Sequence, residues 1–332
     1  MKILLVNKYL YRKGGAETYF IKLGEYLKSL GNEVEYFGMA DERNCVGNRV
    51  EAYTENIDFH KKSLKHITYP FKIIYSVNAR KQIRKVLSDF KPDVVHLNNF
   101  NYQLTPSIIY EIKKHNIPIV YTAHDVQLVC PNHKLKNDYT DGLCRKCDGG
   151  KYFECVKNNC VHSSKIRSIL GAVEAWYYKL RHTYKMIDLT VCPSEFMEKE
   201  ISRNDDINGR TVTMYNFIDE IKPLGAECEN YVLYFGRYSE EKGISNLVKA
   251  AKKLSNIPFV FAGKGELENE VNSADNIKNV GFKTGDELRN IIEKALFTVL
   301  PAEWSENCPF SVMESQSLMT PVLGAKIGGI PE

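Results

Sequence analysis

Short apolar segments alternate with helix-patterned segments along this chain, and that alternation restricts the fold more than any other feature. Ile3 to Val6 is an unbroken apolar run, typical of a parallel strand buried on both faces. A loop containing Gly14 and Gly15, a segment with apolar residues at helical spacing and a second apolar run at 34–37 follow it. Further strands are predicted at 94–97 and 117–123, separated by a helix near 106–115. This order predicts a parallel sheet with helices on both faces.

The same pattern restarts at Tyr231, which predicts a second domain. We expect its strands at 231–236, 258–262, 280–282, 297–300 and 322–323, with helices at 247–254, 286–295 and 309–319. The sequence therefore predicts an α/β protein of two Rossmann-like, doubly wound domains that face each other across a cleft, with ligands at the carboxyl ends of the strands. We place the domains at 1–218 and 231–332, joined by the polar linker 219–230. The last residues, 327–332, resemble the loop after a strand, so we expect the second domain to be truncated at its C-terminus.

Composition places the chain among ordinary globular proteins. Hydrophobic residues make up 43% and charged residues 26%, which excludes a disordered chain, a collagen-like repeat and a coiled coil. The longest apolar runs fall short of the roughly 18 residues needed to span a bilayer. Lys8 follows the first apolar run too soon for a signal peptide. We therefore predict a cytoplasmic protein.

Charge is distributed unevenly along the chain. Residues 1–190 hold 30 Lys and Arg against 19 Asp and Glu, whereas residues 191–332 hold 15 against 22. Two basic segments in the first half, 59–88 and 165–185, combine cations with apolar residues at helical spacing, which suits the inner face of an anionic membrane. The alternative is that both apolar faces pack on the sheet and the cations are only solvated. No recognised nucleic-acid-binding motif is present, so we predict no nucleic-acid partner.

Three segments carry residues suited to a phosphorylated ligand. The Gly14-Gly15 loop precedes a helix, where backbone amides and the helix dipole favour a phosphate. The alternative is that the two glycines form a tight turn needed only for packing. Arg237 and Lys242 follow the first strand of the second domain and could hold a diphosphate. Glu306 lies before a predicted helix and Glu314 inside it, where they could reach a sugar and a ribose. Taken alone, two glutamates at this spacing are typical of a solvent-exposed helix face.

Together these segments resemble the family-4 retaining glycosyltransferases, of group 1 type and the two-domain GT-B fold. The resemblance runs from Met1 to Glu332 and its closest branch is the bacterial enzymes that build capsule, exopolysaccharide or lipopolysaccharide. It rests on motifs in the family's order: Gly14-Gly15-Ala16-Glu17, Thr122-Ala123-His124-Asp125, Pro193-Ser194-Glu195-Phe196, the Gly-Arg-x-Ser-x-Glu-Lys-Gly segment at 236–243, the Glu-x7-Glu motif at 306–314, and Pro321-Val322 with Gly328-Gly329-Ile330-Pro331-Glu332.

The resemblance implies a role for each matching residue. Arg237 and Lys242 match the pair that binds the donor diphosphate and stabilises it as the leaving group. Glu306 matches the glutamate near the transferred sugar, Glu314 the ribose-binding glutamate and His124 the histidine that contacts the donor hexose. The remaining residues implied in donor binding are Gly14, Gly15, Gly236 and Ser311.

The resemblance also implies the reaction. We expect a hexosyltransferase that moves a hexose-type sugar from a UDP- or GDP-sugar to a saccharide or polyprenyl-linked acceptor in surface polysaccharide biosynthesis. No catalytic metal is expected, because Arg and Lys neutralise the phosphates. Two alternatives remain open at this point: a sugar-nucleotide epimerase of the same fold, and a non-catalytic zinc-containing binding module.

A cysteine-rich insertion, 130–162, follows His124. Its pattern, Cys144-x2-Cys147-x7-Cys155-x4-Cys160, fits a structural zinc site, since four thiolates can order a loop that has little core. Cys130, His133 and His162 are substitute ligands. Free or redox-active thiols and disulfides are the alternatives, although nine cysteines in a chain without an export signal favour thiols or metal ligands.

Overall fold

The computed structural model describes residues 1–56, 69–137 and 142–332, and these form two compact units. The N-terminal unit is Met1–Tyr215 and the C-terminal unit is Asn216–Glu332. The division falls a few residues before the predicted linker at 219–230. Each unit contains one parallel sheet with its own hydrophobic core, so the alternating pattern of the sequence did predict the α/β class.

The N-terminal unit is built on a six-stranded sheet in the order β2-β1-β3-β4-β5-β6. Every neighbouring pair is parallel. Leu4, Leu5 and Val6 of the first strand are fully buried, as expected for a strand covered on both faces. The strands are β1 (Lys2–Val6), β2 (Glu33–Phe37), β3 (Val94–Leu97), β4 (Ile119–Thr122), β5 (Leu189–Cys192) and β6 (Thr211–Thr213).

Helices connect these strands. They are α1 (Gly15–Ser29), α2 (Tyr69–Ile74), α3 (Val77–Phe90), α4 (Ser107–Lys114), α5 (Phe153–Lys157), α6 (Lys165–Leu180) and α7 (Glu195–Ile201), with short 3₁₀ turns at Asp148–Gly150 and Thr183–Met186. Ser76 starts α3, because its side chain accepts a hydrogen bond from the amide of Ala79 at 3.1 Å.

The C-terminal unit has a five-stranded parallel sheet in the order β11-β10-β7-β8-β9. Its strands are β7 (Val232–Arg237), β8 (Phe259–Lys264), β9 (Ile277–Asn279), β10 (Phe297–Leu300) and β11 (Val322–Gly324). Its helices are α8 (Ile244–Lys253), α9 (Glu268–Val271), α10 (Gly285–Lys294) and α11 (Phe310–Ser317), with a 3₁₀ turn at Glu240–Lys242.

The strand predicted at 280–282 is wrong. Strand β9, the third strand of this unit along the chain, lies three residues earlier, where Ile277 is buried and pairs with Phe259. Gly281 has a φ of 71°, which turns the chain away from the sheet, and the Phe282 side chain is exposed. Val280 and Phe282 therefore have the alternating spacing of a strand, although neither residue belongs to one.

Both sheets change direction next to their first strand. Strand β1 lies between β2 and β3, and β7 lies between β8 and β10. The connections that leave the carboxyl ends of β1 and β3, or of β7 and β10, therefore diverge to opposite sides and leave a crevice there. In doubly wound sheets this switch point is where ligands bind.

Candidate active site

In the N-terminal unit, the Gly14-Gly15 loop joins β1 to α1. Gly14 precedes the helix in an extended conformation, and its carbonyl oxygen accepts hydrogen bonds from the amide and the hydroxyl of Thr18 at 3.0 and 2.9 Å. Gly15 is the first residue of α1. The buried Glu17 carboxylate also lies at this helix end, so the chain already places one anion near the amides of the first turn.

His124 follows β4 and reaches the end of the neighbouring strand. Its Nε2 hydrogen-bonds Asn98 Oδ1 at 2.9 Å, and its ring meets the ring of Tyr19 edge-on with 5.2 Å between centroids. Burial lowers the pKa of His124 to about 4, so the imidazole is neutral at physiological pH. A neutral ring held in this way can exchange hydrogen bonds with a sugar hydroxyl.

A group of polar side chains around His133 lies beside His124; from the sequence, His133 was predicted only as a substitute zinc ligand, and these contacts were not predicted. His133 Nδ1 lies 3.3 Å from Asp125 Oδ2 and 3.1 Å from Asn101 Nδ2, and the Tyr102 hydroxyl lies 3.2 Å from its Nε2. Burial raises the pKa of Asp125, but His133, the Gln127 amide and Lys8 together outweigh it, so the net shift of the Asp125 pKa is downward. The His124-Asp125 dipeptide of the family motif was the available signal.

In the C-terminal unit, the site starts where β7 ends. Arg237 is the last residue of that strand, and its side chain is 65% exposed with Nη1 3.8 Å from Glu241 Oε1. Lys242 follows in the 3₁₀ turn, and its Nζ lies 2.5 Å from Glu306 Oε1. Trp304 Nε1 donates to the same oxygen at 3.0 Å. The structure therefore brings Lys242 and Glu306 together at the switch point of this sheet.

Glycines allow the two loops to approach each other this closely. Gly243 has a φ of 73°, and a Cβ there would lie 1.9 Å from the Pro301 carbonyl oxygen, just after β10. Gly328 has a φ of 59°, and a Cβ there would lie 2.2 Å from the backbone oxygen of Glu306. Larger residues would push the Lys242 turn and the Glu306 loop out of place.

The second glutamate of the Glu-x7-Glu motif lies inside α11. Glu306 is in the loop before that helix and Glu314 in its interior, as predicted. Ser311 is in the first turn, where its carbonyl oxygen accepts from the hydroxyl of Ser315 at 2.7 Å. Gly236, the residue before Arg237, has a φ of 143° and its backbone oxygen approaches Gly263 of β8. The roles of these four residues in donor binding remain predictions.

The four predicted cysteine ligands lie around one small cavity in the N-terminal unit. Cys144, Cys147, Cys155 and Cys160 all line it, and Cys130 is a fifth. Throughout the described residues, no three His, Cys, Asp or Glu side chains are already arranged to hold a metal ion. His133, a predicted substitute ligand, instead bonds Asp125, Asn101 and Tyr102.

The two basic segments behave differently. The segment at 59–88 falls partly outside the described residues; the remainder is interrupted between α2 and α3, and Ile83, Val86 and Leu87 are buried in the core. Of the two interpretations of this segment, packing in the core is confirmed for these three residues of α3. In contrast, α6 keeps an exposed apolar row, Ile166, Ile169, Val173, Trp176 and Leu180. In the part of the chain that the structure describes, no helix is long and apolar enough to cross a membrane.

Two parallel-sheet α/β domains are the architecture of the GT-B class of glycosyltransferases. A model of Glycosyltransferase Family 4 matches residues 13–221, and a model of Glycosyl transferases group 1 matches residues 217–332. The chain therefore belongs to Glycosyltransferase Family 4, of group 1 type.

Relatives and solved structures agree with this assignment. An uncharacterized 42.6 kDa protein in the cps region of Klebsiella pneumoniae is 26% identical, over 100% of this chain and 87% of that protein. The uncharacterized glycosyltransferase MJ1178 of Methanocaldococcus jannaschii is 21% identical, over 100% of this chain and 81% of that protein. The crystal structure of Anabaena HepE in complex with UDP superposes with a TM-score of 0.64 at 16% identity, over 99% of this chain and 82% of that chain.

Proposed function

We propose that this protein is a retaining glycosyltransferase that moves a hexose-type sugar from a nucleoside-diphosphate sugar to a saccharide or polyprenyl-linked acceptor. The observation that carries the proposal is the contact between Lys242 and Glu306 at the carboxyl edge of the C-terminal sheet, 2.5 Å from nitrogen to oxygen. This pair places a cation for the leaving phosphates next to an anion for the sugar that becomes positively charged.

Arg237 and Lys242 hold the diphosphate in this proposal. The Arg237 guanidinium is exposed and lies 3.8 Å from Glu241, so it can turn towards a phosphate at little cost. Lys242 adds a compact charge beside it, and its pairing with Glu306 fixes its position. Two cations provide the neutralisation that a divalent metal provides elsewhere, so we propose no catalytic metal.

Further residues of each unit complete the proposed donor roles. Glu314 binds the ribose from α11, with Ser311 and the backbone at Gly236 completing the nucleotide side. From the N-terminal unit, His124 contacts the donor hexose, and Gly14 and Gly15 face the phosphates with their amides. Their positions at the switch points of the two sheets support these roles.

The reaction breaks the bond between the anomeric carbon and the β-phosphate oxygen. The electron pair leaves with the nucleoside diphosphate, which Arg237 and Lys242 stabilise as it departs. The acceptor hydroxyl forms the new glycosidic bond on the same face of the sugar, and its proton passes to the departing phosphate. This path needs no protein nucleophile, and it places Glu306 near the positive charge of the sugar.

The likeness to named proteins supports a role in surface polysaccharide biosynthesis. The Klebsiella pneumoniae relative is a protein of a cps region, which supports the prediction of capsule, exopolysaccharide or lipopolysaccharide as the product class. The HepE structure contains UDP, which favours UDP over GDP as the donor nucleotide.

We further propose that α6 holds the protein on the inner face of the plasma membrane, where a polyprenyl-linked acceptor would be found. The exposed row on α6 includes Ile166 and Leu180, which are 72% and 79% exposed, and it recurs at helical spacing. Lys165, Lys179 and Arg181 accompany it and suit an anionic surface. Sedimentation with anionic vesicles should fall in the double variant Ile169→Ser, Leu180→Ser and should not fall in Leu254→Ser, an exposed leucine of the C-terminal unit.

Donor binding is the direct test of the transferase site. Calorimetric titration with UDP, GDP and ADP should show saturable binding of one nucleotide, with UDP the expected one. Lys242→Ala should weaken that binding by about tenfold or more, since a charge-assisted hydrogen bond contributes about 1.5–3 kcal/mol. Lys253→Ala removes an exposed lysine of the same unit and should change the affinity less than twofold. Absence of binding by all three nucleotides would contradict the proposal.

A further inference from the structure

The cysteine-rich insertion contains a feature that sugar transfer does not use. Hereafter the cysteine loop means residues 130–137 and 142–162. Five of its cysteines, Cys130, Cys144, Cys147, Cys155 and Cys160, line one cavity of about 10 Å³. That volume is on the order of one water molecule, so the space between the sulfurs suits a single ion rather than an organic ligand.

Polar side chains already contact two of these sulfurs. The side-chain amide of Asn137 donates to Cys144 Sγ at 3.0 Å, and Cys130 Sγ donates to Asn132 Oδ1 at 2.9 Å. Such partners orient the sulfur atoms, as the outer partners of metal ligands do.

The loop contains little regular structure. Its regular structure is limited to one 3₁₀ turn and the five-residue helix α5, and both Gly149 and Gly150 have positive φ. Its edges are tied down: Arg145 pairs with the buried Glu200, and Trp176 of α6 donates to the Gly150 carbonyl oxygen at 2.9 Å. Among the described side chains between these edges, Leu135 joins the hydrophobic core and the five sulfurs meet around the cavity.

Disulfides do not explain the cluster. All five cysteines are free thiols, and Cys155 and Cys160 are joined by a hydrogen bond rather than a covalent bond. As they stand, the described side chains do not converge tightly enough to hold an ion, so the thiols would have to rotate to reach the roughly 2.3 Å that zinc–sulfur bonds require.

We propose that the cysteine loop binds one structural zinc ion in a tetrahedral site formed by four of these five cysteines, with Cys144 and Cys147 as obligatory members. The two obligatory ligands have the Cys-x2-Cys spacing of a zinc knuckle, and a closed set of four sulfurs leaves no position for substrate. The zinc would order the loop against α6 and α7. This inference is independent of the proposed transfer reaction.

Metal content of the whole protein is the first test. The chain is produced with zinc in the medium, purified without chelators and analysed by plasma mass spectrometry together with protein concentration. We expect about one zinc per chain. Replacement of zinc by Co²⁺ should produce the charge-transfer absorption of cobalt–thiolate bonds. Less than about one-tenth of an equivalent of zinc, without cobalt–thiolate absorption, would overturn the proposal.

Matched variants locate the metal. Cys144→Ser and Cys147→Ser should each reduce bound zinc at least fivefold, whereas Cys45→Ser and Cys228→Ser, at exposed cysteines outside the loop, should leave it unchanged. If a loop variant does not fold, thiol labelling of the wild type decides: a chelator should increase the number of rapidly reacting thiols by about four. Unchanged labelling after zinc removal, or a Cys155–Cys160 disulfide in the purified protein, would refute the site.

Discussion

Replacing Glu306 by Gln should strengthen nucleoside-diphosphate binding while it slows sugar transfer. In the structure, Lys242 Nζ lies 2.5 Å from Glu306 Oε1, and the two side chains are 24% and 12% exposed. A diphosphate must therefore approach an ammonium that already has an anionic partner. Glu306→Gln removes that competition, because the amide of Gln is neutral and nearly isosteric with the carboxylate.

The size of the effect follows from the geometry. Two anions that contact the same ammonium lie about 5 Å apart, where their repulsion is about 0.8 kcal/mol at the dielectric constant of water and about 3 kcal/mol at the value typical near a protein surface. An intermediate value of about 1.5 kcal/mol corresponds to a roughly tenfold lower Kd for the nucleoside diphosphate. Turnover should fall at least about 100-fold, since Glu306 is proposed to face the positive sugar.

Calorimetry and a product-formation assay on the same preparations measure both effects. Glu287→Gln serves as the control: it removes one exposed carboxylate of the same unit, which pairs with Lys283, and should alter neither Kd nor turnover by more than twofold. A higher Kd in Glu306→Gln, or unchanged turnover, would show that Glu306 does not compete for Lys242 or does not act on the sugar.

Three further predictions concern stability. Arg84 is the main cause that lowers the pKa of Glu111 to about 2, and the Glu111 side chain is 3% exposed. The stabilisation from the ionised carboxylate is complete above pH 4.5 and is lost as the pH falls towards 2. Glu111→Gln should therefore lower the free energy of unfolding in urea by about 2 kcal/mol at pH 7 and leave it almost unchanged at pH 2. Gly243→Ala should cost at least about 2 kcal/mol and shift the unfolding midpoint clearly more than Gly225→Ala, which has a similar φ but open space around it. Burial lowers the pKa of His96 from 6.5 to about 4. Below pH 6.5 the unfolded chain therefore binds a proton at His96 that the folded chain does not, and the free energy of unfolding falls. His96→Gln should remove about 1–2 kcal/mol of the stability lost between pH 7 and pH 5. An equal pH dependence in wild type and variant, or equal midpoints for the two alanine variants, would contradict the respective argument.

Local features of the candidate site could be predicted from the residues themselves. Arg237 and Glu306 were placed at a strand end and in a loop before a helix, and the structure places them there. The Gly14-Gly15 loop was placed at a helix N-terminus, which is also where it lies. These features depend on hydrophobic periodicity and turn residues within a few positions, which a sequence displays directly.

Contacts between distant segments could not be predicted in the same way. Lys242 meets Glu306 although 64 positions separate them, because β10 lies next to β7 in the sheet. His124 similarly meets Asn98 only because β3 and β4 are neighbours. The strand order decides which loops share a crevice, and no local pattern in the chain specifies it.

The sequence by itself determined the parallel α/β class, the local positions of the motif residues and the set of cysteines. The tertiary structure decided which surfaces remain exposed and which side chains meet. The apolar face of α3 is buried and that of α6 is not, although both are amphipathic and basic in sequence. Periodicity reports that a helix has an apolar face; only the elements packed against it determine whether water, core or another surface covers that face.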